Sequence, residues 1–168
     1  PLLCDGLTPD EREALLLFEV SQYSEDGTVS SSGSPQNTAF EWLVNTPING
    51  SGDLVCPSDT VTVRQRYILA TLYYQTNGDN WANCDAIIPG GEGSIAPCDF
   101  MTARWLGSNS VCFWFGITCS RGNMVTGINL DENNLVGSVP YELGFLESLQ
   151  VIDFDGNLDT GELNFLSG

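Results

Sequence analysis

Residues Cys112 to Leu143 read CFWFGITCSRGNMVTGINLDENNLVGSVPYEL, and this stretch decides the fold. Two cysteines seven apart enclose an aromatic cluster. The pattern Ile128-x-Leu130-x-x-Asn133-x-Leu135-x-Gly137-x-Val139-Pro140 follows. Beginning 24 residues after Ile128, the chain reads Ile152-x-Phe154-x-x-Asn157-x-Asp159-x-Gly161-x-Leu163. The two apolar positions, the Asn and the Gly recur at one offset, which makes the segment a repeat.

The residue types have physical reasons. Ile128 and Leu130 alternate as a short strand with both side chains directed to a core. The Asn side chain can satisfy backbone groups that a sharp turn leaves unpaired. Gly137 permits a backbone geometry that a Cβ would hinder. Val139-Pro140 ends the turn, and YELGFLESL returns with Leu143, Leu146 and Leu149 facing inward. One such coil cannot bury its own apolar face, so coils must stack. A fixed period of this length with this pattern is the mark of a leucine-rich repeat. The strand residues between the inward positions are Asn129, Asp131 and Glu132 on the first coil and Asp153 and Asp155 on the second. With coils stacked about 5 Å apart, Asn129 neighbours Asp153 and Asp131 neighbours Asp155. That acidic ladder suits a cation, a basic peptide or sugar hydroxyls. The plainer reading is a solvated polar face.

Upstream, three stretches carry helix signals. LTPDEREALLLFEV has Thr8 as cap, Pro9 at the first helical position and Glu11 three residues after the cap, so Ala14 to Val20 should face a core. SPQNTAFEWLVNT repeats the Ser-Pro start, with Phe40, Leu43 and Val44 on one face. SDTVTVRQRYILATLYYQTNG places Ile68 and Leu72 on one stripe, widened by Tyr67, Ala70 and Tyr74, and stops at Asn77-Gly78. These helices are expected to pack together, with their aromatics in the core. The chain from Gly78 to Pro97 reads as loop. DFMTARWLGS is expected to form a short helix capped by Asp99.

Composition narrows the function. There are 22 Asp and Glu residues against 5 Lys and Arg, a net charge of −17. Phosphate binding needs cationic side chains, so nucleic acid is excluded as a partner, and anionic membrane surfaces are disfavoured. The field favours cations, basic proteins or neutral ligands such as glycans. The chain has no histidine, which removes Ser-His-Asp and Cys-His triads and His-ligated zinc. A carboxylate-only glycosidase survives in principle. DFDGNLD at 153–159 fails as an EF-hand calcium loop, because Gly156 stands at the fourth loop position rather than the sixth. No metal or cofactor is expected, and the chain is read as a non-enzyme.

Six cysteines without CxxC pairs read as disulfides, hence an oxidising compartment. Nearness alone pairs Cys112 with Cys119, Cys84 with Cys98 and Cys4 with Cys56. Asn49-Gly50-Ser51 is a glycosylation sequon. No apolar stretch approaches the ~20 residues of a membrane span. The chain opens at Pro1 and is expected to be processed, with a signal peptide removed.

Residues 124–168 resemble plant-type leucine-rich repeats, whose consensus contains LxGxIP. WLGSNSVCFWFGITC resembles the N-terminal cap of that class. The cap's Trp-Gly-(Val/Ile)-x-Cys core is matched here by Trp114-Phe115-Gly116-Ile117-Thr118-Cys119, with one extra residue between Trp and Gly. QRYILATLYYQTNGDNW followed by this cap looks most similar to secreted or surface repeat proteins of microalgae. The resemblance implies that the Cys112–Cys119 staple and Trp114 cover the end of the first coil, and that Asn133 and Asn157 are structural.

The expected fold is α+β: an N-terminal helical unit (1–83), a loop and disulfide-stapled cap (84–123), and two repeats beginning a solenoid (124–168). The expected function is extracellular recognition of a protein, peptide or glycan through the concave face. The alternatives are a structural subunit of an extracellular or lumenal assembly that covers the C-terminal coil, and a carboxylate-dependent glycosidase.

Overall fold

Thr8 starts helix α1, Pro9–Val20, through a reciprocal capping box: its hydroxyl accepts from the Glu11 N–H, and the Glu11 carboxylate accepts from the Thr8 N–H. The computed structural model to which α1 belongs describes residues 4, 6–48, 52–85, 98 and 102–157. Helix α2, Pro35–Asn45, is capped by the Ser34 hydroxyl, which accepts from the Asn37 N–H at 3.0 Å. Helix α3, Thr60–Gln75, is capped by Asp59 and ends at Asn77, which adopts the left-handed conformation (φ 58°).

Helix α3 is the axis of the molecule. Val63 and every residue from Gln65 to Tyr73 are buried. It packs against α1, α2 and the 3-10 turn Tyr141–Phe145 of the repeat, so from Gln65 to Tyr73 no face is left for solvent, while Thr60 and Val61 in its first turn stay exposed. Helix α1 behaves differently from its expected role. Of the run Ala14–Val20, Leu16 and Val20 are buried, Leu17 is partly so, and Ala14, Leu15 and Phe18 are exposed. A single helical stripe reaches the core, and the run is too continuous to fit on it. The stripe instead takes in Arg12, which donates to the carbonyls of Val55 (2.9 Å) and Val44 (3.0 Å) and so ties α1 to the last turn of α2 and to the segment after it.

That segment forms a two-residue antiparallel pair, β1 (Pro47–Ile48) with β2 (Asp53–Leu54), next to the Cys4–Cys56 disulfide. The Asn49 sequon lies outside the described residues. The second sheet runs β3 (Ile117–Cys119), β4 (Val125–Asn129) and β5 (Val151–Asp153). Strands β4 and β5 are parallel and pair Gly127 with Val151, Ile128 with Ile152 and Asn129 with Asp153, which is the 24-residue repeat offset. Strand β3 pairs antiparallel to the other side of β4, a hairpin that the repeat pattern did not announce.

Residues 102–108 form no helix. Ala103 makes a parallel bridge to Trp114, and its N–H donates to the Phe113 carbonyl at 2.7 Å. The apolar side chains of Trp105 and Leu106 are better accommodated along the cap than on a one-turn helix, which is marginal in isolation. Asp99, its expected cap, lies outside the described residues.

One continuous hydrophobic cluster runs from Leu16 in α1 through α3 to Leu143, Leu146 and Phe154 in the repeats. Its centre is a file of aromatic rings. Trp42 meets Trp114 at 5.9 Å, Trp114 meets Trp105 at 5.3 Å, Trp105 meets Trp81 at 4.9 Å, and Trp81 meets Tyr73 at 5.0 Å. The tilted and edge-on geometries are those the ring quadrupoles favour. The Arg66 guanidinium lies 4.6 Å over the Trp42 ring and 5.6 Å over Trp114.

Candidate binding face and its cap

The strand face is built by alternation on β4 and β5. Val125, Ile128, Leu130, Asn133 and Leu135 are buried, while Asn129, Asp131 and Glu132 are exposed between them. On the second coil Phe154 is buried, Asp153 half-buried and Asp155 exposed. The parallel register sets Asn129 directly beside Asp153. The pairing continues past the strands, since the Leu130 N–H donates to the Asp153 carbonyl and the Glu132 N–H to the Asp155 carbonyl, each at 2.8 Å. All five expected face residues therefore lie on two adjacent coils.

Two of these side chains also serve the backbone. Asn129 Oδ1 accepts from the Asp131 N–H (3.3 Å), and Asp153 Oδ1 accepts from the Asp155 N–H (3.1 Å). The same local bond at the same repeat position orients both carbonyl-type oxygens along the chain. Val151 was not singled out from the sequence. It flanks Ile152 on the same side as Asp153, its partner across the ladder is Gly127, and it is 62% exposed. Its place one residue before the inward Ile152 was the signal that could have found it.

Beneath the face lies an asparagine ladder. Asn157 Oδ1 accepts from the N–H groups of Asn133 (3.0 Å) and Leu135 (2.9 Å), and its amide nitrogen donates to the carbonyls of Leu130 and Phe154, each at 2.8 Å. Asn133, fully buried, accepts on Oδ1 from the Asn83 N–H at 2.7 Å, and its own carbonyl accepts from the Ala82 N–H. The segment Trp81–Cys84 thus takes the place of a preceding coil. Position 159 and the residues after it lie outside the described residues.

The cap closes the other side of β4. The disulfides join Cys112 to Cys119, Cys84 to Cys98 and Cys4 to Cys56, the pairs that nearness along the chain gives. Gly116 has φ 75°, and a Cβ there would fall against the Asn129 carbonyl oxygen. Its own carbonyl accepts from the Asn129 N–H at 2.7 Å. Gln65 on α3 completes the cap: its Oε1 accepts from the Val125 N–H (2.7 Å) and its Nε2 donates to the Asn123 carbonyl (3.0 Å). Trp114 sits fully inside, among Trp42, Trp105 and Arg66.

The electrostatics follow from where the cations go. The chain's basic residues are all arginines. Arg12 and Arg66 are buried on backbone carbonyls, Arg64 pairs with Glu147 (2.6 Å) and Arg104 with Asp85 (2.9 Å). Burial lowers the Arg66 guanidinium to about 10. With four of five arginines engaged in the fold, the surface keeps the acidic excess. Among the described residues, no group of three or more His, Cys, Asp or Glu side chains is placed to hold a metal ion.

No protein-family model matches the chain. Curated relatives do. A probable leucine-rich repeat receptor-like protein kinase of Arabidopsis thaliana is 38% identical over 60 residues, covering 35% of this chain and 6% of that protein. Leucine-rich repeat protein 1 of the same plant is 45% identical over 42 residues, 25% of this chain and 19% of that protein. Receptor-like protein 5, also of Arabidopsis thaliana, is 38% identical over 65 residues, 39% of this chain and 23% of that protein. These matches support the leucine-rich-repeat family. The chain matches under a quarter of the length of each of these leucine-rich-repeat relatives. Among solved structures, the crystal structure of PEPR1-AtPEP1 matches 54% of this chain and 11% of that chain, with 27% identity and a TM-score of 0.32. Among the described residues, no helix is long and apolar enough to cross a membrane.

Proposed function

We propose that this chain is the capped start of an extracellular leucine-rich-repeat binding module whose β4–β5 face recognises a protein or peptide carrying basic groups. The observation that carries this reading is the parallel register that sets Asn129 beside Asp153, with Asp131, Glu132 and Asp155 exposed on the same two coils. An acidic face with a single apolar spot at Val151 is complementary to a cationic segment. Glycans remain in the ligand class through the Asn and Asp hydrogen-bonding groups, but no aromatic side chain stands on β4 or β5. Three disulfides support an oxidising compartment, and the receptor-like relatives support an extracellular one. Within the family, the segment Gln65–Trp81 supports kinship with the surface repeat proteins of microalgae.

The test is a panel of basic, acidic and neutral peptides and neutral oligosaccharides, measured for binding to the chain and to an Asp131→Asn/Asp155→Asn variant. Basic peptides should bind with an affinity that falls with salt and falls further in the variant. Binding of oligosaccharides alone, unchanged by the two substitutions, would overturn the peptide reading. A second reading, a structural subunit docked on the outer edge of β5, is favoured by the exposure of Val151; it predicts self-association or assembly that Val151→Lys abolishes.

A further inference from the structure

A cavity of about 230 Å³ lies between the first turns of α3, Ile48 of β1, the Ser110–Val111 segment of the cap and Asn123 in the β3–β4 turn. None of the strand-face residues lines it. Arg66 and Val111 are buried at its floor, and Asp59, Val61 and Asn123 are exposed at its rim. Asp59, Thr62 and Arg66 are spaced three and four apart, so they share one face of the start of α3. Asp59 and Arg66 stand about 10 Å apart along the helix axis and form no ion pair with each other. The cavity therefore has a positive floor and a negative rim.

Arg66 is a buried cation without a counterion among the described residues. Its Nη1 and Nη2 donate to the carbonyls of Asn109 (3.0 Å) and Gly107 (3.1 Å), which uses two of the five guanidinium N–H groups. Its Nε makes no hydrogen bond. The sealed, unpartnered side-chain atoms among the described residues belong to Arg12, Arg64, Asp85, Trp114, Asn133 and Glu142. Arg66 Nε is not one of them, so this free N–H stays accessible from the cavity that Arg66 lines. Burial is the one cause that lowers the guanidinium, and no carboxylate is close enough to raise it. A buried charge without a partner is costly, so this wall calls for an anion from outside the chain. A carboxylate matches the planar donor fork.

The rest of the lining specifies the molecule that carries it. Asp59 at the rim, on a chain of net charge −17, repels a bare anion. A ligand that sets a carboxylate at Arg66 and an ammonium at Asp59 satisfies both groups and enters without net charge. Ile48, Val61 and Val111 supply apolar contact. The volume lies below the range of about 300–1,000 Å³ that suits drug-sized ligands, which selects a small occupant. We propose that this cavity is a binding site for a free aliphatic α-amino acid, its carboxylate on Arg66, its ammonium on Asp59 and its side chain on Ile48, Val61 and Val111. The site is separate from the β4–β5 face and stands whether or not that face binds a peptide.

The experiment is a titration of the isotope-labelled 168-residue chain with L-leucine, read by NMR at the Arg66 Nε–H and by calorimetry, with leucinamide, N-acetyl-leucine and acetate as comparisons. A saturable shift with L-leucine is expected. Leucinamide, which lacks the carboxylate, should bind about tenfold or more weakly, the factor that a charge-assisted hydrogen bond carries. Asp59→Asn keeps the α3 cap, since Asn caps as Asp does. It should weaken L-leucine about two- to fivefold, the range of an exposed ion pair, and leave N-acetyl-leucine unweakened. Arg66→Gln should abolish binding in calorimetry; if that variant does not fold, Asp59→Asn and the ligand series decide. Asp131→Asn/Asp155→Asn should leave this binding intact, which separates it from the strand face. Acetate or N-acetyl-leucine binding as tightly as L-leucine would make this a general carboxylate site and overturn the amino-acid assignment. Absence of saturation, equal affinity for leucinamide, or L-leucine affinity unchanged in Asp59→Asn would overturn it as well.

Discussion

Asn133 and Asn157 stand one repeat apart and each offers its Oδ1 to backbone N–H groups of a neighbouring segment: Asn157 Oδ1 accepts from Asn133 and Leu135 of the first coil, and Asn133 Oδ1 accepts from Asn83 in the cap. The asparagine ladder therefore does not begin in the repeats. It begins with the segment Trp81–Cys84, anchored by the Cys84–Cys98 disulfide, which presents the Ala82 and Asn83 N–H groups where a coil would present its own.

Removing the first rung should be costly. Asn133→Ala deletes the acceptor for the Asn83 N–H inside a fully buried site and is expected to destabilise by about 1–3 kcal/mol. Urea unfolding followed by tryptophan fluorescence reads this directly, and a loss below about 0.5 kcal/mol would show that the rung is dispensable.

Two glycines of one repeat should respond differently to alanine. Gly137 has φ 124°, and its Cβ would meet the Gln75 carbonyl at the end of α3, where Val136 N–H also donates to the Thr76 carbonyl. Gly144 has nothing within 4 Å of its Cβ position. Gly137→Ala should cost more than about 1 kcal/mol and Gly144→Ala should stay within about 0.5 kcal/mol. Equal effects in thermal unfolding would contradict the close approach of the repeat to α3.

The disulfides should differ by loop length. Cys4–Cys56 spans 52 residues and Cys112–Cys119 spans 7. The chain-entropy relation makes the longer loop more stabilising by about 2 kcal/mol. Paired Cys→Ser variants compared by denaturant midpoint test this, and a larger loss at the short loop would mean that native packing of the cap outweighs unfolded-state entropy.

Alkaline pH should unfold the protein through its tyrosines. Burial, as the leading cause, raises the phenols of Tyr23, Tyr74 and Tyr141 to about 12 and that of Tyr67 higher still. Their folded values lie above the ordinary value near 10, so the unfolded chain releases these protons first. Their contribution is fully present below about pH 10 and is lost as the pH rises through about 12. Arg66, whose folded value near 10 lies below the ordinary one, and Arg12, which burial also lowers, act the other way, so the fold gains from their deprotonation as pH rises. Four phenols outnumber two guanidiniums, and the urea midpoint should fall between pH 10 and 12. A flat midpoint over that range, with phenolate absorbance appearing at the ordinary pH, would contradict the burial of these rings.

Much of this was legible locally. Thr8, Ser34 and the Asn77-Gly78 stop act within four residues of themselves, and the structure uses them as helix boundaries. The repeat was legible because its period is one coil, so Asn129 and Asp153 could be placed side by side from their spacing. Val151 escaped notice because its exposure depends on the residue opposite being Gly127. Glu142 escaped notice because a glutamate on a returning segment looks solvated until Ser24 and Gln36 close over it.

What the sequence by itself determined is the set of elements whose signals are short-range: capped helices, a coil repeated every 24 residues, and cysteines near enough to pair. Tertiary structure decided which side of each element faces inward. Leu15 and Phe18 lie outside while Arg12, Arg66 and Glu142 lie inside. The reason is that burial is a property of neighbours brought from far along the chain. Arg12 is satisfied by carbonyls 32 and 43 residues away, and Glu142 by a hydroxyl 118 residues away. No local pattern encodes such partners, and only the packing of α1, α2 and the repeat around α3 supplies them.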